Sequence, residues 1–124
     1  MLHVVEPMGS TSEAVLSFYL PEHKPDELQH EANKKVLAQM KQRLEKFCEE
    51  EASLCAEGSP KVSDVVVVAG HPAEEILHQA EKHHADLIVM GSFGKHILGR
   101  HVLGSTARYI TQSSPVPVLI VPNT

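Results

Sequence analysis

Residues 85–106 read ADLIVMGSFGKHILGRHVLGST, an apolar run followed by two glycine clusters. The apolar run, Ala85 to Met90, has the composition of a buried strand. Gly91-Ser92-Phe93-Gly94 follows it at once, and nine residues later Gly104-Ser105-Thr106 opens a helix-like stretch. Glycines let the backbone come close to an anion, and the free N–H groups and dipole of a helix start favour negative charge. The stretch therefore predicts a phosphate-binding loop between a strand and a helix.

The distribution of charge along the chain agrees with an anion site in this region. Asp86 is the last acidic side chain of the sequence, whereas Lys95, Arg100 and Arg108 all follow it. The last 38 residues thus carry +3, while the first 86 carry eight Lys and Arg against sixteen Asp and Glu, a net −8. A carboxylate in a phosphate loop would repel its ligand, so its absence here favours an anion site.

Length and composition limit the class of protein. A chain of 124 residues is long enough for one core but not for two, which predicts a single domain over residues 1–124. No apolar run approaches the ~20 residues needed to cross a bilayer, and no signal-peptide pattern opens the sequence. A net charge of −5 argues against a general nucleic-acid binder. We therefore expect a cytoplasmic protein that binds neither membranes nor nucleic acid.

The cysteines and histidines suggest no redox or metal chemistry. Cys48 and Cys55 lie seven residues apart in one predicted helix, so their Cα atoms would be ~10 Å apart, too far for a disulfide. They are expected to be two reduced, partly buried thiols on one helix face. The nine histidines are scattered, and none has the spacing of a metal ligand set.

Strand-like and helix-like segments alternate along the chain. The predicted strands are Leu2–Val5, Val62–Ala69, Asp86–Met90 and Val116–Val121, and the predicted helices are Asp26–Glu57, Pro72 to about His84, and Ser105–Ser113. Residues 6–26 read as a loop. This alternation predicts an α/β fold, a doubly wound open parallel sheet with right-handed crossovers and helices on both faces. In such sheets ligands bind at the carboxyl ends of strands, which is where the glycine loop falls.

Two strands and one helix carry more detailed expectations. The unbroken run Val65 to Val68 predicts a strand that is buried on both faces. Pro117 within the last strand predicts that this strand lies at a sheet edge. Gly58 and Pro60 are expected to end the long first helix. Its buried face is expected to comprise Leu28, Ala32, Val36, Met40, Leu44, Phe47, Cys48 and Cys55.

Two common phosphate-binding motifs are excluded by spacing. The dinucleotide motif needs Gly-x-Gly-x-x-Gly after the first strand, whereas this chain has Gly-x-x-Gly after a late one. The P-loop needs a lysine before its Ser or Thr, and residues 99–106 read GRHVLGST, which lacks that lysine. A P-loop ATPase is therefore not predicted.

The spacing instead resembles the nucleotide-binding branch of the universal stress protein family. That branch has the pattern Gly, two residues, Gly, nine residues, Gly-Ser/Thr, and Gly91, Gly94, Gly104 and Ser105 match it without a gap. The resemblance extends over nearly the whole chain, since all four predicted strands match strands of the family.

The resemblance implies a Rossmann-like, five-stranded sheet that binds ATP or AMP, with or without Mg²⁺. The loop backbone and the Ser105 hydroxyl would hold the phosphates, with Thr106 beside them. Val4 matches a position that packs on adenine, and Met90 lies just before the loop. The family commonly dimerises through its last strand, so we expect a homodimer through Val116–Val121, whose apolar edge suits pairing with another chain.

One part of the family pattern has no match. The family's first strand and helix precede the strand matched by Leu2–Val5, and that first strand carries an aspartate near the nucleotide. The expectation is an N-terminally truncated domain, because the unmatched strand would lie mid-sheet and its loss would leave two edges with unpaired backbone groups. Strand exchange within an oligomer, or direct contact of the two half-sheets, are alternative ways of closing such a gap.

Three functions remain open at this point. The first is a regulatory protein that binds an adenine nucleotide with little or no catalysis. The second is a slow ATPase, although no acidic residue follows Asp86 to hold a metal. The third is a dimeric interaction module that keeps the fold without a nucleotide.

Overall fold

The structure, a computed structural model, describes the backbone of residues 1–7, 25–92, 96–97 and 100–122 and the side chains of residues 1–7, 30–92 and 102–122. Most of the loop predicted for residues 6–26 lies outside these ranges. The chain divides into two compact units, Met1–Gly70 and His71–Thr124. Of the helices that the structure describes, none combines the length and hydrophobicity that a bilayer crossing requires.

The first unit is a parallel strand pair with one long helix. Strand β1 is Leu2–Val5, helix α1 is Pro25–Leu54 and strand β2 is Val66–Ala69. The strands pair in parallel, with Leu2 opposite Val66 and Val5 opposite Ala69, and α1 packs against β2. Backbone hydrogen bonds from Val66 N to Met1 O (2.9 Å) and from Gly70 N to Val5 O (3.0 Å) extend the ladder at both ends.

Strand β2 is shorter and more exposed than predicted. The prediction began at Val62, but pairing begins at Val66 because the partner strand begins at Leu2. Just before it, the Asp64 carboxylate accepts a hydrogen bond from the Val65 N–H (2.8 Å), which is a turn-like arrangement. The expectation of burial on both faces was wrong, since Val66 to Val68 are only half-buried and Ala69 is exposed.

The covered stripe of α1 also differs from the prediction. The half-buried residues of the helix recur at helical spacing and are Asn33, Leu37, Met40, Leu44, Cys48 and Ala52. Ala32 is exposed, and Val36 and Phe47 are 43% and 49% exposed. Cys48 is half-buried, but Cys55 lies past the helix end and is exposed. A two-stranded sheet covers a narrower arc of the helix than the apolar pattern predicted.

The second unit contains the remaining helices and strands. Helix α2 is Pro72–Lys82, strand β3 is Ile88–Gly91, and strands β4 and β5 are His96–Ile97 and Arg100–His101; helix α3, Ser105–Ser113, and strand β6, Val118–Val121, follow. The glycine-rich region had been predicted as a loop throughout, but β4 and β5 form a short antiparallel pair within it. Pro72 begins α2, and Glu74 and Glu75 lie in its first turn, as the helix dipole favours.

Strands β3 and β6 form a parallel pair with both helices on one face. Ile88 lies opposite Val118 and Gly91 opposite Val121. Helices α2 and α3 pack against each other, and the core of this unit is centred on Ala73, Ile88 and the fully buried Ile110. The α/β prediction with parallel strands is confirmed. The parallel strands of the described residues form two two-stranded sheets, however, where the sequence predicted one.

Candidate anion-binding site

The carboxyl end of β3 leads directly into the predicted phosphate loop. Gly91 is the last residue of the strand, and Ser92 N donates a hydrogen bond to Val121 O (2.9 Å), which fixes the start of the loop against the end of β6. The next predicted site residue, Gly94, lies outside the described residues, as does Lys95. The strand therefore extends one residue beyond its predicted end at Met90, and the loop begins at Ser92 rather than at Gly91.

The amino end of α3 has the features of an anion-binding helix start. Gly104 is its N-cap residue, none of the described side chains caps the helix, and the first turn contains no acidic residue. The first intrahelical bond runs from Arg108 N to Gly104 O (2.9 Å). The N–H groups of the preceding turn, at Ser105, Thr106 and Ala107, have no acceptor within the helix. The helix dipole adds partial positive charge at the same place.

The described side chains around the start of α3 suit the binding of an anion. Ser105 is exposed and Thr106 is half-buried, so the Ser105 hydroxyl is accessible at the first helical position. Arg108 is exposed and lies three residues after Ser105, on the same side of the helix. In the sequence Arg108 stands out only as one of the three basic residues after Asp86. Its i, i+3 spacing from the matched serine was the signal that could have placed it beside the site.

Gly104 is not required by its backbone conformation. Its φ of −58° and ψ of 154° are accessible to other residues, and Gly91 does not have a positive φ either. What glycine supplies at this position is therefore the lack of a side chain and not an unusual backbone conformation. This agrees with close approach of a ligand to the backbone, rather than with a strained turn.

Two further predicted site residues, Val4 and Met90, lie in different units. Met90 is half-buried in β3, and its side chain packs on the core around Ile110, so Met90 would support the site from beneath. Val4 lies in β1, is half-buried and pairs with Val68. Its contact with adenine stays a prediction.

A cavity of about 560 Å³ lies elsewhere in the second unit. Its lining residues are Leu77, His78, Ala80, Glu81, His84, Ala85, Pro115 and Val116. These residues lie at the end of α2 and just before β3 and β6, so the cavity is at the amino ends of the strands. Ligands of parallel α/β sheets bind at the opposite, carboxyl ends. Among the described residues, no group of three His, Cys, Asp or Glu side chains could hold a metal ion.

The fold and the candidate site define an α/β protein with parallel strands and, among the described residues, a helix start without a side-chain cap. Comparison with known families places it more closely, because residues 1–122 match the model of the universal stress protein family. The chain belongs to the universal stress protein family. This membership supports a general role in the stress response.

Similar proteins cover almost the whole chain. Universal stress protein YxiE of Bacillus subtilis is 34% identical over 122 residues, which are 98% of this chain and 76% of that protein. Universal stress protein MJ0577 of Methanocaldococcus jannaschii is 31% identical over 125 residues, 98% of this chain and 74% of that protein.

Solved structures show the same fold. The structure of the hypothetical protein MJ0577 superposes with a TM-score of 0.69 at 27% identity, covering 99% of this chain and 74% of that one. UspA from Lactobacillus plantarum, at 23% identity and a TM-score of 0.51, covers 97% of this chain and 74% of its own and supports the fold alone. These neighbours agree with the Rossmann-like open-sheet class predicted from the sequence.

Proposed function

We propose that this chain is a regulatory stress protein that binds an adenine nucleotide, ATP or AMP. The observation that carries the proposal is the uncapped start of α3, which has Gly104 at its N-cap and no acidic residue in its first turn. The glycine spacing from Gly91 to Ser105 and the net +3 of the last 38 residues support it independently.

The roles of the residues follow from their chemistry. The backbone N–H groups of Ser105 and Thr106, with the Ser105 hydroxyl, donate hydrogen bonds to phosphate oxygens. Gly91 and Gly94 have no side chain to hinder the approach of the loop backbone to the same phosphates. Arg108 contributes positive charge from the neighbouring helix turn.

These contacts are sufficient for physiological binding. Hydrogen bonds to a charged group contribute about 1.5–3 kcal/mol each, and a helix terminus adds about 0.3–1 kcal/mol. Three or four such bonds with adenine packing reach about −8 kcal/mol, which is micromolar affinity. Mg²⁺ would arrive with ATP, bound to its phosphates.

The direct test is to identify the nucleotide that the protein retains. We expect adenine nucleotide in the supernatant of denatured, freshly purified protein, or saturable binding of ATP or AMP by calorimetry. Protein that carries none, and that does not bind either nucleotide at millimolar concentration, would refute the proposal. That result would instead favour an interaction module, to which the exposed apolar surface of the β3–β6 sheet, Val89 and Leu119, is suited.

Catalysis is expected to be slow or absent. Efficient phosphoryl transfer needs residues that hold Mg²⁺ and orient the attacking group, and the segment after Asp86 contains no carboxylate and no P-loop lysine. In a steady-state assay with saturating MgATP we expect no sustained turnover above the background without enzyme. Sustained multiple turnovers that disappear in Ser105→Ala would reassign the protein as an ATPase.

The edge of β6 that faces away from β3 is proposed as a homodimer surface. Ile88 N donates to Pro117 O (3.0 Å) and Ser92 N to Val121 O (2.9 Å), so the odd-numbered residues of this strand bond to β3. By the alternation of a parallel ladder, the N–H groups of Val118 and Ile120 point to the other edge. Pro117 belongs to the odd-numbered residues that face β3, so its missing N–H does not interrupt the outward row of donors.

Substitution at Val118 tests this edge. Val118→Pro removes one outward N–H and is expected to weaken dimerisation at least about tenfold, because proline cannot donate to a ladder. Val118→Ala loses the side chain but keeps the donor, and it serves as the matched control in sedimentation equilibrium. Equal dissociation constants for the two variants, or a wild-type monomer at micromolar concentration, would exclude pairing through β6.

A further inference from the structure

Helix α1 carries a second stripe of side chains beside the one that faces β2. Successive members are separated by four, three, four, three and four residues, which is the spacing of a coiled-coil seam. We call this stripe the seam, and its members are Val36, Met40, Arg43, Phe47, Glu50 and Leu54.

The seam is open to solvent. Val36 is 43% exposed, Phe47 49% and Leu54 81%, whereas Met40 is half-buried at the border with the stripe that faces β2. At 3.6 residues per turn the two stripes are centred about a quarter turn apart, so a partner on the seam leaves the β2 contact intact. Apolar side chains aligned over several turns of one helix mark an interaction surface more than isolated exposed residues do.

The length of α1 agrees with a second partner. The helix has 30 residues, and β2, against which it packs, has four. These lengths correspond to about 45 Å and about 13 Å respectively, so the strand alone cannot cover the helix. The seam from Val36 to Leu54 spans about 27 Å along the axis.

We propose that the seam binds the seam of a second copy of this chain in antiparallel orientation. In the symmetric register Val36 lies opposite the partner's Leu54, Met40 opposite the partner's Glu50, and Arg43 opposite the partner's Phe47. The two-fold axis of the dimer repeats each of these three pairings. Every one of the six seam residues therefore lies opposite a seam residue of the partner. The dimer is closed, since each copy uses the same surface.

The charged members of the seam select this arrangement. A parallel, in-register pair would place Arg43 against Arg43 and Glu50 against Glu50, which repel. In the antiparallel register each Arg43 guanidinium lies on the face of the partner's Phe47 and one layer from the partner's Glu50, so it gains a cation–π contact and an ion pair. Glu50 already pairs with Lys46 at 3.8 Å, but both side chains are more than 60% exposed and this bridge is weak.

Charge reversal in the full-length chain tests the pairing. Arg43→Glu or Glu50→Arg should each raise the dissociation constant of the dimer at least about tenfold. The double variant should bind at least about threefold more tightly than either single variant, because it restores the ion pair but not the cation–π contact. The two residues are seven apart on one helix and cannot pair within it. Lys35→Glu and Glu49→Arg, which make the same charge changes outside the seam, should leave the constant within about twofold. These measurements are made by sedimentation equilibrium in the Val118→Pro background, which removes the β6 edge from the comparison.

Disulfide trapping tests the orientation. In a chain with Cys48→Ser and Cys55→Ser, the Val36→Cys and Leu54→Cys proteins should each form no disulfide cross-link under mild oxidation when alone, and should cross-link when mixed. Circular dichroism confirms that each variant retains its helix content. Cross-linking of each cysteine variant with itself would overturn the proposed orientation. The proposal also fails if the double charge reversal does not restore association. It fails as well if the Val118→Pro chain with an unchanged seam is a monomer at all concentrations.

Discussion

Gly104→Val is expected to abolish ATP binding and leave the fold intact. If the phosphates bind at the N–H groups of Ser105 and Thr106 as proposed, the bulk of the valine side chain at the N-cap would hinder their approach. The native φ of −58° and ψ of 154° suit valine as well as glycine, so the substitution does not strain the backbone. We expect a loss of affinity of about 100-fold or more, which corresponds to about 2.7 kcal/mol.

A graded pair of variants makes this measurement specific. Gly104→Ala adds only a methyl group and should lose less affinity than Gly104→Val in the same calorimetric titration. The far-ultraviolet circular dichroism of both should match that of the native chain. Native affinity in the valine variant would count directly against phosphate binding at the start of α3.

Ile110→Ala is expected to lower the free energy of unfolding by about 2–5 kcal/mol. Ile110 is fully buried where α3 packs against α2 and the β3–β6 sheet, and its deletion leaves a cavity between them. The loss is a large part of the ~5–15 kcal/mol that stabilises a typical domain. Urea denaturation followed by circular dichroism measures it.

The neighbouring residue provides the control for Ile110. Tyr109 is 48% exposed on the same helix, and Tyr109→Ala should change the free energy of unfolding by about 0.5 kcal/mol or less. Equal losses for the two variants would mean that the contact of α3 with the sheet is not the core of this unit.

The sequence predicted the second unit more closely than the first. The apolar run before Gly91 and the run after Pro117 became parallel strands, and Pro72 and Gly104 lie at the starts of α2 and α3 as predicted. These elements were predictable because their signals are local: a buried strand needs apolar residues, and a helix start needs a particular residue type. The short β4–β5 pair was missed because His96 and Arg100 carry no strand pattern.

The errors in the first unit have a different cause. The apolar residues of α1 cover a wider arc than the stripe that packs on β2, so periodicity alone could not tell which would be buried. The run from Val62 was predicted as one strand, although its pairing depends on where β1 begins. Both features are set by tertiary partners, which local sequence patterns do not encode.

The candidate anion site likewise combines features that the sequence predicts with features that only the structure shows. The glycine spacing and the absence of carboxylates were readable from the sequence, and they predicted Gly91, Gly104, Ser105 and Thr106 at the ends of β3 and α3. The missing cap on α3 required the structure, because a Ser or Thr near a helix start can itself act as a cap. The core position of Met90 likewise depends on three-dimensional packing, whereas the i, i+3 spacing of Arg108 from Ser105 was readable from the sequence.

Titration of ATP into ¹⁵N-labelled protein tests the central claim most directly. The account predicts saturable, micromolar binding, with the largest amide shifts at Ser92 and at Ser105, Thr106 and Ala107, because phosphate oxygens would accept hydrogen bonds at the start of α3. Saturable shifts confined to other amides, or no shifts at millimolar ATP, would contradict it.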